Sequence, residues 1–384
     1  MVQTRFDSSL TAGFILYFIK IKKRNKEMLA QKKDYFFKNP FYPEKGGIIQ
    51  KPVIAYEEYG NPKGETVLIT HGGLQNQHAA GKYSEKEVLA GTWDDLIGDR
   101  KAIDTLKYRV IAVNSPGSMF GSSGPLSINP DTGKNYGPDF PTLTMADMAR
   151  FFKQFLDETG VQKLSLMAGP SMGSLQTLLF AALYPGFAEK IMAVATSGRM
   201  TPGGIAFHRF MKEIIQNDPE FNNGWYQTDK PLYSLKVIHE IARIYYTHET
   251  GIKKYFWDTV PEGQNAQFER MDKIRNYLVS GIDEYLTGRD PNSYIRLTDA
   301  IDSYSLGYHA ESYEKGVERI QCPVLLVNIS SDSEFPPYWA YEVADILNKK
   351  NPGQAVVRII ESDWGHIGCI KETKKIAEHL KNWM

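Results

Sequence analysis

The sequence predicts a doubly wound α/β fold, with a mostly parallel sheet and a long helical insertion. Six short aliphatic or β-branched runs alternate with helical stretches, a pattern typical of buried parallel strands. These runs cover residues 66–70, 109–114, 163–167, 190–196, 323–329 and 355–360. Between the fourth and the fifth run, helical and aromatic-rich segments replace the strand pattern. Alternation of strands and helices is what a doubly wound sheet requires, and the interruption marks the insertion.

Two helices of the predicted sheet domain have clear ends. Thr144-Met145-Ala146-Asp147 is a variant of the capping box that opens a helix. The apolar residues that follow it at helical spacing, interpreted as core, are Met148, Phe151, Phe152 and Phe155. Gly160 predicts the end of this helix, and Pro185 predicts the end of the next one.

The helical insertion sets the predicted domain organisation. We expect an N-terminal extension over residues 1–45, a sheet domain built from residues 46–201 and 318–384, and a helical lid over residues 202–317. An insertion at this point is expected to cover the carboxyl ends of the strands, where ligands bind in such sheets. A packing appendage without contact to the chemistry is the alternative. Because no Gly/Ser-rich or Pro-rich linker divides the chain, it is interpreted as one catalytic domain with one lid.

The N-terminal residues are compatible with several interpretations. An apolar run over residues 9–19 precedes a basic cluster, but it is shorter than the ~18 to 20 residues that span a bilayer. The order of charge and apolar residues is also opposite to that of a signal peptide. A loosely attached extension, or an upstream start with Met28 as the functional beginning, is favoured over a peripheral membrane anchor, and no stable membrane insertion is expected.

The composition is that of an ordinary globular protein. Of 384 residues, 42% are apolar and 23% are charged, and 45 basic residues balance 45 acidic ones. With no net charge, the chain has no overall field to attract nucleic acid or an anionic membrane, so a small-molecule partner is favoured. Cys322 and Cys369 lie far apart in the sequence and offer neither a disulfide framework nor a C-x-x-C pair. A reducing, cytoplasmic location is therefore expected.

Metal and nucleotide sites are not favoured. His71 and His78 lack the spacing of common zinc motifs, so no metal is expected. The turn Gly117-Ser118-Met119-Phe120-Gly121 follows a predicted strand, but prolines at positions 125 and 130 block the helix whose N-terminus would hold phosphate. No bound cofactor is therefore expected.

The segment Gly169-Pro170-Ser171-Met172-Gly173 predicts a nucleophilic serine. It lies between an apolar strand and a helix, and G-x-S-x-G at such a junction is the nucleophile elbow of α/β-hydrolase sheets. The small residues let the backbone turn sharply, and the first turn of the helix presents free amide groups beside the hydroxyl. A glycine-rich turn with an incidental serine is the alternative.

A serine hydroxyl needs a base and an acid to become nucleophilic. In α/β-hydrolase sheets the acid and then the histidine follow the serine along the chain. Asp332 lies just past a late strand and His366 just past the last one, so both are expected at the carboxyl edge of the sheet. Glu334 competes for the acid role, but it is further from the strand end and is expected to face solvent.

Two donors are expected to stabilise the oxyanion that forms during attack on a carbonyl. The backbone amide of Met172, the residue after the nucleophile, is one. The Gly73 amide is the other, because His71-Gly72-Gly73-Leu74 forms an HGG turn after an early strand. Glycines that only permit a tight turn are the alternative.

Longer motifs add a resemblance to a known family. These motifs are Gly121-Ser122-Ser123-Gly124-Pro125, Ser127-Ile128-Asn129-Pro130, Thr132-Gly133-Lys134, Tyr136-Gly137-Pro138-Asp139-Phe140-Pro141, Arg289-Asp290, Asn292-Ser293-Tyr294, Leu297-Thr298, Ser331-Asp332, Phe335-Pro336-Pro337 and Gly365-His366. Together with the serine turn, they make the chain, from about Tyr56 to its end, resemble the homoserine O-acetyltransferase family of α/β-hydrolase-fold acyltransferases.

The resemblance implies an α/β-hydrolase fold, a triad of Ser171, Asp332 and His366, and a ping-pong reaction. An acetyl or succinyl thioester of coenzyme A would acylate Ser171, and an amino-acid hydroxyl would then collect the acyl group. Acyl-CoA is thus implied as a co-substrate, with a small-molecule donor and acceptor. A homodimer that pairs through the lid is also implied.

Two positions depart from the family pattern where the acceptor binds. The family usually has an aspartate after the catalytic histidine, which receives the amino group of homoserine, whereas this chain has Ile367. The family also tends to have an arginine on the first lid helix for a carboxylate, and Lys212 takes that place here. Lysine keeps the charge but loses the two-pronged hydrogen bonding of arginine.

Three functions therefore remain open. The first is acyl transfer through an acyl-Ser171 intermediate to homoserine or another acceptor. The second is ester hydrolysis by the same residues with water as the acceptor. The third, a non-catalytic binding module on an inherited fold, is disfavoured because the triad positions and the HGG turn are all present.

Overall fold

The structure, a computed structural model, describes residues 29–87, 89–227 and 230–384. Most of the extension predicted for residues 1–45 lies outside this part of the chain. The apolar run at 9–19 and Met28 lie entirely outside it.

An eight-stranded sheet forms the centre of the described chain, in the order β1-β2-β6-β3-β7-β8-β9-β10. The strands are β1 Lys32–Phe36, β2 Val53–Gly60, β3 Glu65–Ile69, β4 Ile97–Gly98, β5 Ile103–Asp104, β6 Tyr108–Val113, β7 Leu166–Pro170, β8 Ile191–Val194, β9 Val324–Ile329 and β10 Ala355–Ile360. From β6 to β10 all neighbouring strands are parallel, whereas β2 is antiparallel to both β1 and β6. The short strands β4 and β5 pair separately. The predicted mostly parallel sheet is confirmed.

The six predicted runs are all strands, but one of them is displaced. The run at 163–167 gives a strand at Leu166–Pro170, because Leu164 makes only an isolated bridge with Ala188, while Met167 to Pro170 pair in register with β8. The first two residues of the serine motif therefore belong to the strand, and the sharp turn begins at Ser171.

Some helices pack against the two faces of the sheet, and others form the insertion. They are α1 Met145–Glu158, α2 Met172–Leu183, α3 Pro202–Gln216, α4 Tyr233–Tyr246, α5 Glu249–Ile252, α6 Ala266–Val279, α7 Ile282–Leu286, α8 Pro291–Asp302, α9 Tyr313–Val317, α10 Pro337–Lys350, α11 Gly368–Lys371 and α12 Thr373–Trp383. Both hydrogen bonds of the predicted capping box are present at Thr144 and Asp147. The predicted helix start is therefore confirmed.

The main core occupies both faces of the sheet because strand side chains alternate between them. On one face, Leu68 belongs to a cluster with the apolar sides of α1, α2 and α10. On the other face, Val67 belongs to a cluster that includes Ile376 and Leu380 of α12. This arrangement confirms a doubly wound α/β fold.

The insertion has a small core of its own and also joins the main one. Phe207, Met211 and Leu235 from its first helices form a separate apolar cluster. From its later helix α8, Leu297 and Ile301 belong to the main cluster, so the insertion is anchored to the sheet domain. Among the described residues, no helix combines the length and apolar character that a membrane crossing needs.

Candidate active site

Ser171 occupies a strained turn between β7 and α2. Its φ and ψ angles are 53° and −126°, a conformation that residues with side chains rarely adopt. The Ser171 N–H donates to the Val194 carbonyl oxygen at 2.8 Å, which ties the turn to the neighbouring strand. Strain of this kind persists only where the surrounding structure fixes it, and it is common at functional sites.

The two glycines of the serine motif allow three backbone segments to meet. A Cβ atom on Gly169 would lie 2.7 Å from the Gly173 carbonyl oxygen, and a Cβ on Gly173 would lie 2.9 Å from the His71 carbonyl oxygen. Both distances are shorter than real Cβ contacts. Thr70 closes the arrangement, since its hydroxyl donates to the Gly173 carbonyl oxygen at 2.8 Å. Glycine is therefore required on both sides of Ser171 for packing.

Ser171, His366 and Asp332 form a continuous hydrogen-bonded chain. The His366 Nε2 atom is 2.8 Å from Ser171 Oγ, and His366 Nδ1 is 2.9 Å from Asp332 Oδ2. The second carboxylate oxygen of Asp332 accepts from the backbone N–H groups of Glu334 and Phe335 at 2.8 and 2.9 Å. The structure thus places Asp332, and not the Glu334 side chain, against the histidine.

The electrostatic environment of His366 favours its protonated form. Burial alone would lower the pKa of His366, but the charge of Asp332, its hydrogen bond and the charge of Glu334 outweigh burial, so the pKa is raised. His366 is 7% exposed and Asp332 is 3% exposed, so water screens this pair little. The imidazole is consequently well placed to take a proton from Ser171 and to hold it next to a carboxylate.

The helical insertion contacts the loop that carries His366. The Tyr246 ring lies 5.2 Å from the His366 ring, measured between centroids, and Tyr255 stacks on Trp364 at 4.2 Å. Gly365 has a φ of 62°, and a Cβ there would lie 2.8 Å from the Tyr246 carbonyl oxygen. The loop and the insertion are therefore packed backbone against backbone.

The HGG turn passes close to Ser171 and is held by a buried imidazole. A Cβ atom on Gly72 would lie 3.6 Å from the Ser171 Cβ. His71 Nδ1 lies 2.7 Å from the Gly72 carbonyl oxygen, while His71 Nε2 accepts from the Ser115 N–H at 2.9 Å. Burial lowers the pKa of His71 to about 4, so the ring is neutral at neutral pH. It can then donate from Nδ1 and accept at Nε2, as both contacts require.

Of the two predicted oxyanion donors, Met172 directly follows Ser171 in the chain, and Gly73 follows Gly72 of the HGG turn, which passes close to Ser171. Met172 is the first residue of α2, so its N–H has no partner within the helix. Gly73 follows Gly72, whose own N–H donates to the Gln75 side chain at 3.1 Å. The role of the two amides as oxyanion donors stays a prediction.

The residues expected to bind the acceptor have different surroundings. Lys212 lies on α3 as predicted, but its ammonium group is 2.9 Å from a carboxylate oxygen of Asp299 and 2.9 Å from one of Asp302. A substrate carboxylate would therefore have to compete with two aspartates for this cation. Ile367 directly follows His366 in the short helical turn Gly365–Ile367 and is partly buried.

The surroundings of two polar residues of the site, Glu334 and His71, are not recorded in the sequence. The expectation that Glu334 faces solvent is wrong: the residue is only 3% exposed, and Gly204 and Tyr245 of the insertion lie against its side chain. The sequence gives His71 no role beyond the HGG turn and a disfavoured metal site, yet its side chain contacts the Gly72 carbonyl oxygen and the Ser115 N–H and so fixes this turn. Within the described ranges, no group of three or more His, Cys, Asp or Glu side chains is arranged to hold a metal ion.

Comparison with known proteins places this fold in a class. A family model described as alpha/beta hydrolase fold matches residues 65–373. The crystal structure of esterase E22 superposes with a TM-score of 0.84 at 27% identity and covers 92% of this chain and all of its own. The chain is therefore a member of the α/β-hydrolase-fold class.

Curated relatives define the family within this class. Homoserine O-acetyltransferase of Deferribacter desulfuricans is 36% identical over 94% of this chain and 97% of its own length. The enzyme of the same name from Moorella thermoacetica is also 36% identical, over 89% of this chain and 92% of its own. A crystal structure of homoserine O-acetyltransferase from Bacillus anthracis has a TM-score of 0.84 at 25% identity, covering 92% of this chain and 97% of its own. The chain belongs to the homoserine O-acetyltransferase family.

Proposed function

We propose that the chain is a serine-dependent acyltransferase that works through an ester of Ser171. The observation that carries this proposal is the hydrogen-bonded chain from Ser171 Oγ through His366 to Asp332. An acyl thioester of coenzyme A is the proposed donor, and the hydroxyl group of a small molecule is the proposed acceptor. The names of the curated relatives support acyl transfer to a hydroxyl such as that of homoserine.

The first half-reaction forms the acyl-enzyme. Ser171 Oγ attacks the thioester carbonyl carbon while His366 Nε2 takes the hydroxyl proton. The amides of Met172 and Gly73 are proposed to donate to the oxyanion. When the tetrahedral intermediate collapses, the C–S bond breaks, and the leaving thiolate of coenzyme A receives the proton from His366.

The second half-reaction repeats this chemistry with the acceptor. His366 takes the proton of the acceptor hydroxyl, whose oxygen attacks the acyl carbon of the Ser171 ester. The bond to Ser171 Oγ breaks, and His366 returns the proton to it. The insertion, which packs on the histidine loop, is proposed to act as a lid that limits water, because water would compete with the acceptor for the ester.

Ester hydrolysis is the second candidate function. Esterase E22 is 27% identical to this chain and has the same fold, so this fold also occurs in a protein named as an esterase. Ile367 favours this alternative, because it removes the aspartate that the family uses for the amino group of homoserine. An acceptor that is held poorly leaves the acyl-enzyme to water.

Thiol release with defined substrates separates the two functions. Purified protein is mixed with acetyl-CoA with and without L-homoserine, and free thiol is followed over time. Acyl transfer predicts release that depends on the acceptor, together with an O-acetyl product seen by mass spectrometry. Hydrolysis predicts release at the same rate without acceptor, or cleavage of a short-chain nitrophenyl ester alone.

The variant Ser171→Ala tests the mechanism common to both functions. It should lower turnover by at least about a thousandfold, because only oxyanion stabilisation and binding remain. The trapped acyl group should be found on the peptide that contains Ser171 in the wild type and on no peptide of the variant. Turnover at the wild-type rate in Ser171→Ala would refute the mechanism.

A further inference from the structure

A buried carboxylate outside the triad, that of Glu57 on β2, is the centre of a hydrogen-bonded cluster. The Glu57 side chain is fully buried. The Tyr83 hydroxyl donates to its Oε1 atom at 2.6 Å, the Tyr59 hydroxyl donates to its Oε2 atom, and His78 Nδ1 lies 3.1 Å from the same Oε2. Burial of a carboxylate is costly unless several donors surround it, so these contacts hold one another in place. No step of the proposed reaction uses these four side chains, which we term the Glu57 cluster.

The Glu57 cluster holds the backbone that follows the HGG turn. The Tyr59 oxygen accepts from the backbone N–H groups of Ala79 and Ala80 at 3.2 and 3.3 Å. Burial and the charge of Glu57 raise the pKa of Tyr59, so its hydroxyl keeps the proton that it donates to Glu57. The end of the loop that begins with the HGG turn is therefore fixed to β2.

A path of hydrogen bonds leads from His78 back to the turn itself. The His78 carbonyl oxygen accepts from the Thr92 N–H at 3.1 Å. The Thr92 hydroxyl oxygen accepts from the Gln75 side-chain amide at 3.4 Å, and the Gln75 amide oxygen accepts from the Gly72 N–H at 3.1 Å. A displacement of His78 is therefore transmitted through two side chains to Gly72, whose carbonyl carbon is bonded to the Gly73 nitrogen.

A small cavity beside the turn leaves this segment room to move. The residues that line it come from the turn, from the loop after it and from the end of β7, and they include His71, Gln75, Gln77, His78 and Pro170. The His78 Nε2 and Gln77 Oε1 atoms are buried and have no hydrogen-bond partner among the described residues. Groups that face a void lack packing contacts on that side. The position of the loop thus depends on the contact between His78 and Glu57 more than on packing.

We propose that Glu57 is a positioning residue for the oxyanion donor on the HGG turn. Through His78 and Tyr59, it keeps the Gly73 amide where this amide can donate to the transition state. This inference rests on the proposed acylation of Ser171 and adds to it a residue that does not touch the substrate. Donors of this kind need support from behind, because an amide that shifts by a fraction of an ångström loses part of its hydrogen bond to the oxyanion.

The variant Glu57→Gln tests this role, with Glu58→Gln on the same strand as its matched control. Glutamine keeps the size of the side chain but loses the charge and one acceptor oxygen, so the Glu57 cluster loosens. With a short nitrophenyl ester, kcat of Glu57→Gln should fall by about 10- to 100-fold and KM should change by less than about threefold, because complete loss of one oxyanion donor costs about 100- to 1,000-fold in kcat. Glu58 pairs with Lys33 and Arg109 instead, so Glu58→Gln should keep the wild-type kcat.

Affinity for a short alkyl trifluoromethyl ketone separates positioning from a general loss of structure. Such a ketone forms a tetrahedral anion with a serine hydroxyl, so its inhibition constant should rise in Glu57→Gln by a factor similar to the fall in kcat/KM. The fraction of protein that can be acylated at Ser171, counted by mass spectrometry, should stay at the wild-type level. A variant that loses this fraction but binds the ketone with unchanged affinity would overturn the assignment, as would an unchanged kcat.

Tyr83→Phe decides the question if Glu57→Gln does not fold. Tyr83 is 43% exposed, and the variant removes one of the donors to Glu57 while keeping the aromatic ring. Both kcat and the affinity for the ketone should fall by about 2- to 10-fold, the effect of one hydrogen bond. Tyr42→Phe, at an exposed tyrosine outside the Glu57 cluster, should keep the wild-type values. Wild-type values in Tyr83→Phe would contradict the proposed role.

Acylation of the wild type distinguishes failure of this inference from failure of the proposed function. If the nitrophenyl ester leaves no acyl group on Ser171 of the wild type, the serine mechanism fails, and the role of Glu57 fails with it. If the wild type is acylated and Glu57→Gln is acylated at the same rate, only the role of Glu57 is refuted.

Discussion

Replacing His71 with glutamine should remove part of the acid sensitivity of folding. His71 is buried between the Gly72 carbonyl oxygen and the Ser115 N–H, and the second contact requires an unprotonated Nε2 atom. Burial is the main reason that its pKa falls from 6.5 to about 4. Glutamine cannot titrate, but its amide oxygen can still accept from the Ser115 N–H.

The sign and size of the effect follow from proton linkage. Between pH 4 and 6.5 the unfolded chain binds a proton at position 71 and the folded chain does not, so acid favours unfolding. The contribution of neutral His71 to the free energy of unfolding is complete above the pKa of this residue in the unfolded chain. It is lost as the pH falls towards the pKa of His71 in the folded chain. With these two pKa values, lowering the pH from about 7 to about 5 removes about 2 kcal/mol of unfolding free energy, and the limit at lower pH is about 3 kcal/mol.

Urea unfolding at several pH values measures this difference. The free energy of unfolding of the wild type and of His71→Gln is determined between about pH 7 and about pH 5. The wild type should lose about 2 kcal/mol more than the variant over this range, whatever their difference at pH 7, since all other titrating groups are common to both. Equal losses in the two proteins would refute the neutral, buried state of His71.

Three further predictions concern the reacting residues. Asp332→Asn should lower kcat for a short nitrophenyl ester by about 10⁴-fold, because the correct tautomer of His366 is lost. In the wild type, the acid limb of the pH–rate profile is expected above pH 6.5, because Asp332 raises the pKa of His366, and in the variant this limb should move to lower pH. An unmoved limb would contradict this. Gly169→Ala should lower kcat by about 100-fold or more, because its Cβ displaces the serine turn, and circular dichroism should show an intact fold. Ile367→Asp should raise homoserine-dependent thiol release by about tenfold, and an unchanged rate would argue against an ammonium subsite at this position.

Features set by local sequence could be predicted well. The start of α1 follows from the capping box at Thr144, and the six central strands follow from short aliphatic runs. The relative order of Ser171, Asp332 and His366 was enough to anticipate their meeting, because the carboxyl ends of parallel strands lie on one edge of the sheet.

Features set by distant contacts could not be predicted. Strands β1 and β2 lie on the antiparallel side of the sheet and contain charged residues that weaken an apolar pattern. The pairing of Lys212 depends on Asp299 and Asp302, which lie on another helix of the insertion. The burial of Glu334 likewise depends on how the insertion packs over the sheet, which no local pattern records.

The contact between the insertion and the histidine loop links access to the site with alignment of the base. Tyr246 ends α4 and touches His366, and the adjoining backbone lies against Gly365. A movement of this helix end that admits a bulky donor would therefore also shift the imidazole away from Ser171.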